Sequence, residues 1–195
     1  GLGREGSPFQ HFCTGEIVSD EGLMITNHHC AFGMIQAHSS LEHNYLRDGF
    51  WANSKKEELT NPGTTASILV RMEDVTEKIN AALNSNMSEE ERAKKIKEVS
   101  RKLEAEAVKG TNLQANIKPY FNGNQYFMSV FKIYRDVRLV GAPNSAIGKF
   151  GGDTDNWTWP RHTGDFSVLR IYAGPDNEPA AVSPNNVPYK PAKFF

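Results

Sequence analysis

No stretch of this 195-residue sequence is apolar over the length that a membrane-spanning helix needs. Neither sign of charge dominates. Twenty-two Lys and Arg stand against 23 Asp and Glu, a net charge of −1, so no broad electrostatic attraction to nucleic acid or to an anionic membrane is expected. Cysteine is scarce: Cys13 and Cys30 are the only two. Alone they say little, and two buried thiols or one bridge are both open. There is no internal repeat, no low-complexity tract, no initiator Met and no apolar leader before Gly1-Leu2-Gly3-Arg4. No polar tail follows Phe194-Phe195, and the chain reads as an excerpt of a longer protein, with any signal peptide upstream of it. What is present is 38% hydrophobic and 23% charged residues, the composition of a soluble globular protein with one domain or two small ones.

Along the chain, residues 12–19 read as a strand and Asp20-Glu21-Gly22 as a turn, because Gly accepts the positive φ that closes a tight hairpin. Residues 23–27 read as the returning strand, delivering His28-His29-Cys30 at its end. Residues 66–72 form another strand. From Glu73 to Lys109 the chain is rich in Glu, Lys, Ala and Leu and has no Pro or Gly, which predicts helix, interrupted at Asn86 or Ser88. Ser88 and Glu91 have the spacing of a capping box. Ile96, Val99, Leu103 and Ala107 share one face, and Gly110 is a helix stop. Residues 126–140 and 165–173 are rich in aromatic and β-branched residues and predict strands. Between them a Gly-rich loop, 141–164, holds Trp157, Trp159 and Pro160, and a loop of that length is usually functional. The expected fold is mainly antiparallel β, a small closed or partly closed barrel with one helical excursion.

Two segments carry candidate chemistry. In Thr26-Asn27-His28-His29-Cys30 a His sits at a hairpin end beside a Cys, and this resembles the Thr-Ala-Ala-His-Cys segment that holds the general base of chymotrypsin-like enzymes. His29 directly precedes the Cys and matches the base; His28 takes the place of a small residue and reads as structural. The resemblance implies a bridge from Cys30 back to Cys13, closing a loop worth roughly 3 kcal/mol. A metal site drawing on His38 or His43 is the alternative for a His doublet beside Cys, but the spacing fits no standard zinc pattern, and no metal is expected. His11 and His162 read as surface or supporting groups. In Gly164-Asp165-Phe166-Ser167-Val168-Leu169-Arg170, Asp165 opens a strand, as the triad Asp of those enzymes does. Asp153 and Asp155 are alternatives that open no strand. The third partner, a Ser in a Gly-x-Ser-Gly turn, is absent; Asn144-Ser145-Ala146 lacks the following Gly and precedes the Asp. The nucleophile is therefore expected beyond Phe195.

Longer segments sharpen this. CTGEIVSDEGLMITNHHCAFGMIQAHSS, EHNYLRDGF, GNQYFMSVFKIYRDVRLVGAP and IGKFGGDTDNWTWPRHTGDFSVLRIYAG resemble the bacterial dipeptidyl-peptidases 7 and 11, serine exopeptidases of the chymotrypsin clan. The resemblance implies a double β-barrel peptidase, of which this chain supplies the first barrel, residues 1–72 and 111–173, with an inserted helical hairpin at 73–110 and an extended linker at 174–195. It implies a periplasmic or cell-surface protein, homodimeric at full length, that removes dipeptides from peptides with a free N-terminus and needs no cofactor. Carried over by motif, His29 is the general base, Asp165 its carboxylate, and Asn156 with Trp157 grips the substrate's α-amino group. An Asn carbonyl can accept from a protonated amine, and a Trp face attracts a cation. Trp159 reads as a loop anchor. The excerpt alone is expected to be inactive.

Overall fold

A computed structural model describes residues 1–4, 13–148 and 163–192. The elements in chain order are β1 (Leu2–Arg4), β2 (Glu16–Ile17), β3 (Leu23–Thr26), α1 (His28–His38), α2 (Tyr45–Asp48), β4 (Phe50–Trp51), β5 (Leu59–Thr60), β6 (Thr64–Asp74), α3 (Thr76–Asn80), α4 (Glu89–Ala107), β7 (Gln114–Tyr120), β8 (Gln125–Tyr134), β9 (Asp136–Ala142), α5 (Ser145–Gly148), β10 (Ser167–Ala173) and β11 (Val187–Pro188). The chain is mainly antiparallel β and divides into two compact units, Gly1–Ala66 with Tyr134–Phe195, and Ser67–Ile133.

The first unit is built on a curled seven-stranded sheet in the order β2-β3-β10-β9-β4, with β11 also pairing β10 and β5 also pairing β9. Strand β10 is central because it buries Ser167, Leu169, Ile171, Tyr172 and Ala173, and apolar positions of that kind need neighbours on both edges. It pairs antiparallel with β3 from Ser167 opposite Thr26 to Arg170 opposite Leu23, and with β9 on its other side. The hairpin between β2 and β3 closes at Gly22, whose φ is +67° and where an added Cβ would come within 2.8 Å of the Ile171 and Tyr189 carbonyl oxygens. Helix α1 lies against β9 and β10 and buries His28, Cys30, Ala31, Met34 and Ile35.

The sequence predicts residues 126–140 as one strand. The structure divides them at Arg135 into β8 and β9, which belong to different sheets. Uniform β composition carries no mark of such a break. Beyond Gly174 the chain returns to the sheet: Val187 and Pro188 pair with Ala173 and Tyr172, and the Tyr189 and Tyr134 rings lie 4.8 Å apart. Two buried ion pairs sit along this face. Glu58, with its side chain 2% exposed, accepts from Arg170 Nε at 2.9 Å and from the Tyr172 hydroxyl at 2.8 Å. Asp136 accepts both a Nε–H and an Nη2–H bond from Arg138, at 2.9 and 2.8 Å, and a third from the Asn186 amide at 2.8 Å.

In the second unit β6, β8 and β7 lie side by side in that order. Strand β8 alternates, burying Tyr126, Met128 and Val130. These residues join Val75, Ile79 and Ala115 in a core against which Ile96, Val99, Leu103 and Ala107 of α4 pack. The capping box forms as its spacing predicts: Ser88 Oγ accepts from the Glu91 N–H at 3.3 Å and Glu91 Oε2 accepts from the Ser88 N–H at 2.9 Å. Helix begins later than composition suggests, because β6 runs on to Asp74.

Candidate functional site

The register of β3 against β10 creates the site. Ser167 stands opposite Thr26. Continuing two positions past that pair brings Asp165 opposite His28, with Asn27 and His29 on either side. Asp165 lies just before β10, and His29 lies in the first turn of α1, directly after β3. Residues 136 positions apart therefore meet where the pairing of β3 with β10 ends.

His29 makes two bonds to Asp165. Its ring Nδ1 lies 3.0 Å from Oδ2, and its backbone N–H donates to Oδ1 at 3.2 Å. An ionised carboxylate only accepts, so Nδ1 carries the proton and Nε2 is left as the unprotonated ring nitrogen. The His29 side chain is 66% exposed and that of Asp165 31%. Partial burial pushes the Asp165 carboxyl up, but hydrogen bonds from the His29 backbone and ring, and from Asn27, outweigh it and hold the group below its ordinary value. A depressed carboxyl contributes to stability above its unfolded pKa, and that contribution is lost as pH falls through the lowered folded value. Asn27 Nδ2 reaches Asp165 Oδ2 at 3.1 Å, a partner that the sequence does not reveal because Asn27 reads there as the last residue of a strand.

His28 points the other way. It is fully buried, its Nε2 lies 3.1 Å from the Pro143 carbonyl oxygen, and burial lowers its pKa. Gly148 passes so close that a Cβ there would lie 2.5 Å from the His28 ring. A neutral ring donating to Pro143 fits this role, and protonation would be disfavoured. Cys13 and Cys30 are joined in a disulfide with their Cα atoms 6.0 Å apart, so the residue after His29 is covalently tied to the entrance of the β2–β3 hairpin. Thiol titration of denatured, unreduced protein should find no free thiol, and reduction should cost about 3 kcal/mol of stability for a loop of this size. Two reactive thiols per chain would contradict the bridge.

Among the described residues, Cys13, His29 and Cys30 are the only group of metal-type donors in mutual reach, and two of the three are the disulfide. His38 is bound instead to Asn61 Oδ1 at 3.1 Å, and His43 stacks on Tyr45. Phe166, next to Asp165, lies 6.1 Å from the half-exposed Trp51 ring, so an apolar surface adjoins the carboxylate. Asn156, Trp157, Trp159, Asp153, Asp155, His11 and His162 lie outside the described residues.

Comparison with known proteins bears on the same segments. The model of the family described as Peptidase S46 matches residues 6–195. The chain is similar to dipeptidyl-peptidase 7 of Porphyromonas endodontalis, at 53% identity over 182 residues, 93% of this chain and 22% of that protein. It is also similar to an Asp/Glu-specific dipeptidyl-peptidase of Capnocytophaga gingivalis, at 50% identity, covering 96% of this chain and 26% of that protein. Among solved structures, the crystal structure of Porphyromonas endodontalis DPP11 superposes with a TM-score of 0.80 at 46% identity, covering 93% of this chain and 26% of that one. The same peptidase in complex with the dipeptide Arg-Glu gives 0.78 at 45% identity, over 93% of this chain and 27% of that one. The chain thus spans about a quarter of the length of the relatives that it matches.

Proposed function

The chain belongs to the peptidase S46 family, and from that premise we propose that it supplies the base and the orienting carboxylate of a serine-type dipeptidyl-peptidase. The observation that carries this reading is the contact of His29 Nδ1 with Asp165 Oδ2 at 3.0 Å, on a His29 side chain that is largely exposed. In this scheme Nε2 takes the proton from a serine Oγ as that oxygen attacks the scissile carbonyl carbon. The protonated ring then returns the proton to the leaving amine as the C–N bond breaks, and a water repeats the cycle on the acyl-enzyme. Asp165 holds the ring in the needed tautomer and stabilises the imidazolium. The serine and its oxyanion hole belong to the remainder of the longer protein, and the present chain alone is inactive.

The two-residue cut comes from a grip on the substrate's free N-terminus by Asn156 and Trp157, eight or nine positions before Asp165. A substrate α-amino group has a pKa of about 7.7–8.0 and is largely protonated near neutral pH. Identity is nearly even to a dipeptidyl-peptidase 7 and to an Asp/Glu-specific relative, at 53% and 50%. This supports placing the pocket for the residue at the cut outside the present chain. A periplasmic or cell-surface location and a homodimeric full-length protein complete the reading. The Cys13–Cys30 bridge agrees with an oxidising compartment, and no helix among the described residues is long and apolar enough to cross a membrane.

Asn156→Ala in the full-length protein tests the exopeptidase assignment. It should raise KM for substrates with a free N-terminus by about 10-fold or more, the cost of one charge-assisted hydrogen bond. An N-terminally blocked substrate, already poor, should be nearly unaffected. Equal losses on both would make Asn156 a loop-building residue and end the grip assignment.

A further inference from the structure

Asn27 occupies the position before the first turn of α1, with φ −70° and ψ 153°, the extended conformation of an N-cap residue. Asn is among the best residues there because its side-chain oxygen can accept from an N–H of the first turn. Yet its side chain makes no cap bond. It is turned to Asp165 instead, with Nδ2 at 3.1 Å from Oδ2 and 3.4 Å from the backbone oxygen of the same residue. Both of those atoms can only accept, so the amide must present its NH₂ group to them and the orientation follows from chemistry.

We infer that Asn27 is a positioning residue that fixes the rotation of the Asp165 carboxylate and, through it, the His29 ring. The inference rests on the reading of His29 as base and Asp165 as its carboxylate. Among the described residues, the other two donors to that carboxylate both belong to His29: its backbone N–H on Oδ1 and its ring on Oδ2. Asn27 adds a donor that does not move with the imidazole, on the same oxygen that holds Nδ1. Its second contact ties the carboxylate to its own main chain, where the chain enters β10. The helix goes without one cap bond so that this donor can serve the carboxylate.

Two substitutions separate this role from capping. Ser and Asp cap helices about as well as Asn, so a residue that served only α1 would tolerate both. Asn27→Ser is too short to reach Asp165. Asn27→Asp has nearly the same shape but brings an acceptor and a charge to Oδ2. In the full-length protein, with a dipeptidyl substrate, Asn27→Ser should lower kcat about 10-fold with KM little changed, as for a lost hydrogen bond to a charged group. Asn27→Asp should lower kcat further. It should also move the acid limb of kcat/KM to higher pH by about one unit or more, since a second carboxylate favours the imidazolium. Melting temperatures should stay near wild type. Wild-type kcat and an unmoved acid limb in both variants, with His29→Ala inactive, would overturn the role of Asn27 alone. A kcat loss matched by a fall in melting temperature would reduce Asn27 to a structural residue and overturn it as well. Activity retained by His29→Ala would instead bring down the underlying assignment of the base.

Discussion

Substituting His29 by alanine in the full-length protein is expected to lower kcat by roughly 10⁴-fold or more, because a serine hydroxyl without its base is scarcely nucleophilic near neutral pH. The loss should appear in kcat and kcat/KM alike, since the proton transfer is made only in the transition state. His28→Ala provides the contrast within the same doublet. His28 is fully buried against Pro143 and Gly148, and its removal leaves a cavity beside α5 rather than a missing base. It should lower the melting temperature and cost far less in kcat. Steady-state kinetics and thermal unfolding of the two variants, side by side, make the measurement. Equal kinetic losses in two folded variants would leave the base unassigned.

Glu58→Ala is expected to be the most damaging change to stability, by about 3 kcal/mol or more, because it breaks a buried ion pair from one side. The Arg170 guanidinium would lose its Nε partner, and the Tyr172 hydroxyl, also buried, would lose its acceptor. Arg170 keeps its bond to the Glu21 carbonyl oxygen at 2.8 Å, which limits the loss. Glu58→Gln retains the size and one acceptor oxygen and should cost distinctly less. The urea midpoint of the two variants tests this, with the unfolding slope unchanged. A Glu58→Ala midpoint equal to wild type would mean that the pair contributes nothing net to folding.

Much of the site is legible in local sequence signals, because those signals carry their own physics. The turn Asp20-Glu21-Gly22 is recognisable since only Gly suits the positive φ found there. Ser88 and Glu91 declare the start of α4 through two reciprocal bonds that depend on a spacing of three. His29 and Asp165 stand out by their positions beside a Cys and before a strand, and strand register then brings them together. Features fixed by tertiary contact are harder to see. Helix α1 hides behind the His-His-Cys motif and contains Gly33, although its buried residues Ala31, Met34 and Ile35 follow the helical period. The break at Arg135 is decided by which sheet each half joins, which uniform β composition does not encode. The return of Val187 and Pro188 to β10 is masked by the prolines around it. Asn27 is hidden for another reason, since it reads as the end of a strand and only geometry shows where its amide points.

The central place of β10 has a consequence for how the chain acquires its shape. The strand pairs with β3, more than 140 positions earlier, whereas β7 and β8 form a hairpin from adjacent segments and α4 lies directly before them. Local pairings close in microseconds, while distant ones must first overcome a large loop entropy. During synthesis the Ser67–Ile133 unit is complete before residue 165 has left the ribosome, and until then β3 presents an unsatisfied edge. His29 and Asp165 come into register only when β10 pairs with β3, so their contact depends on the strand pairing of greatest sequence separation in this sheet among the described residues.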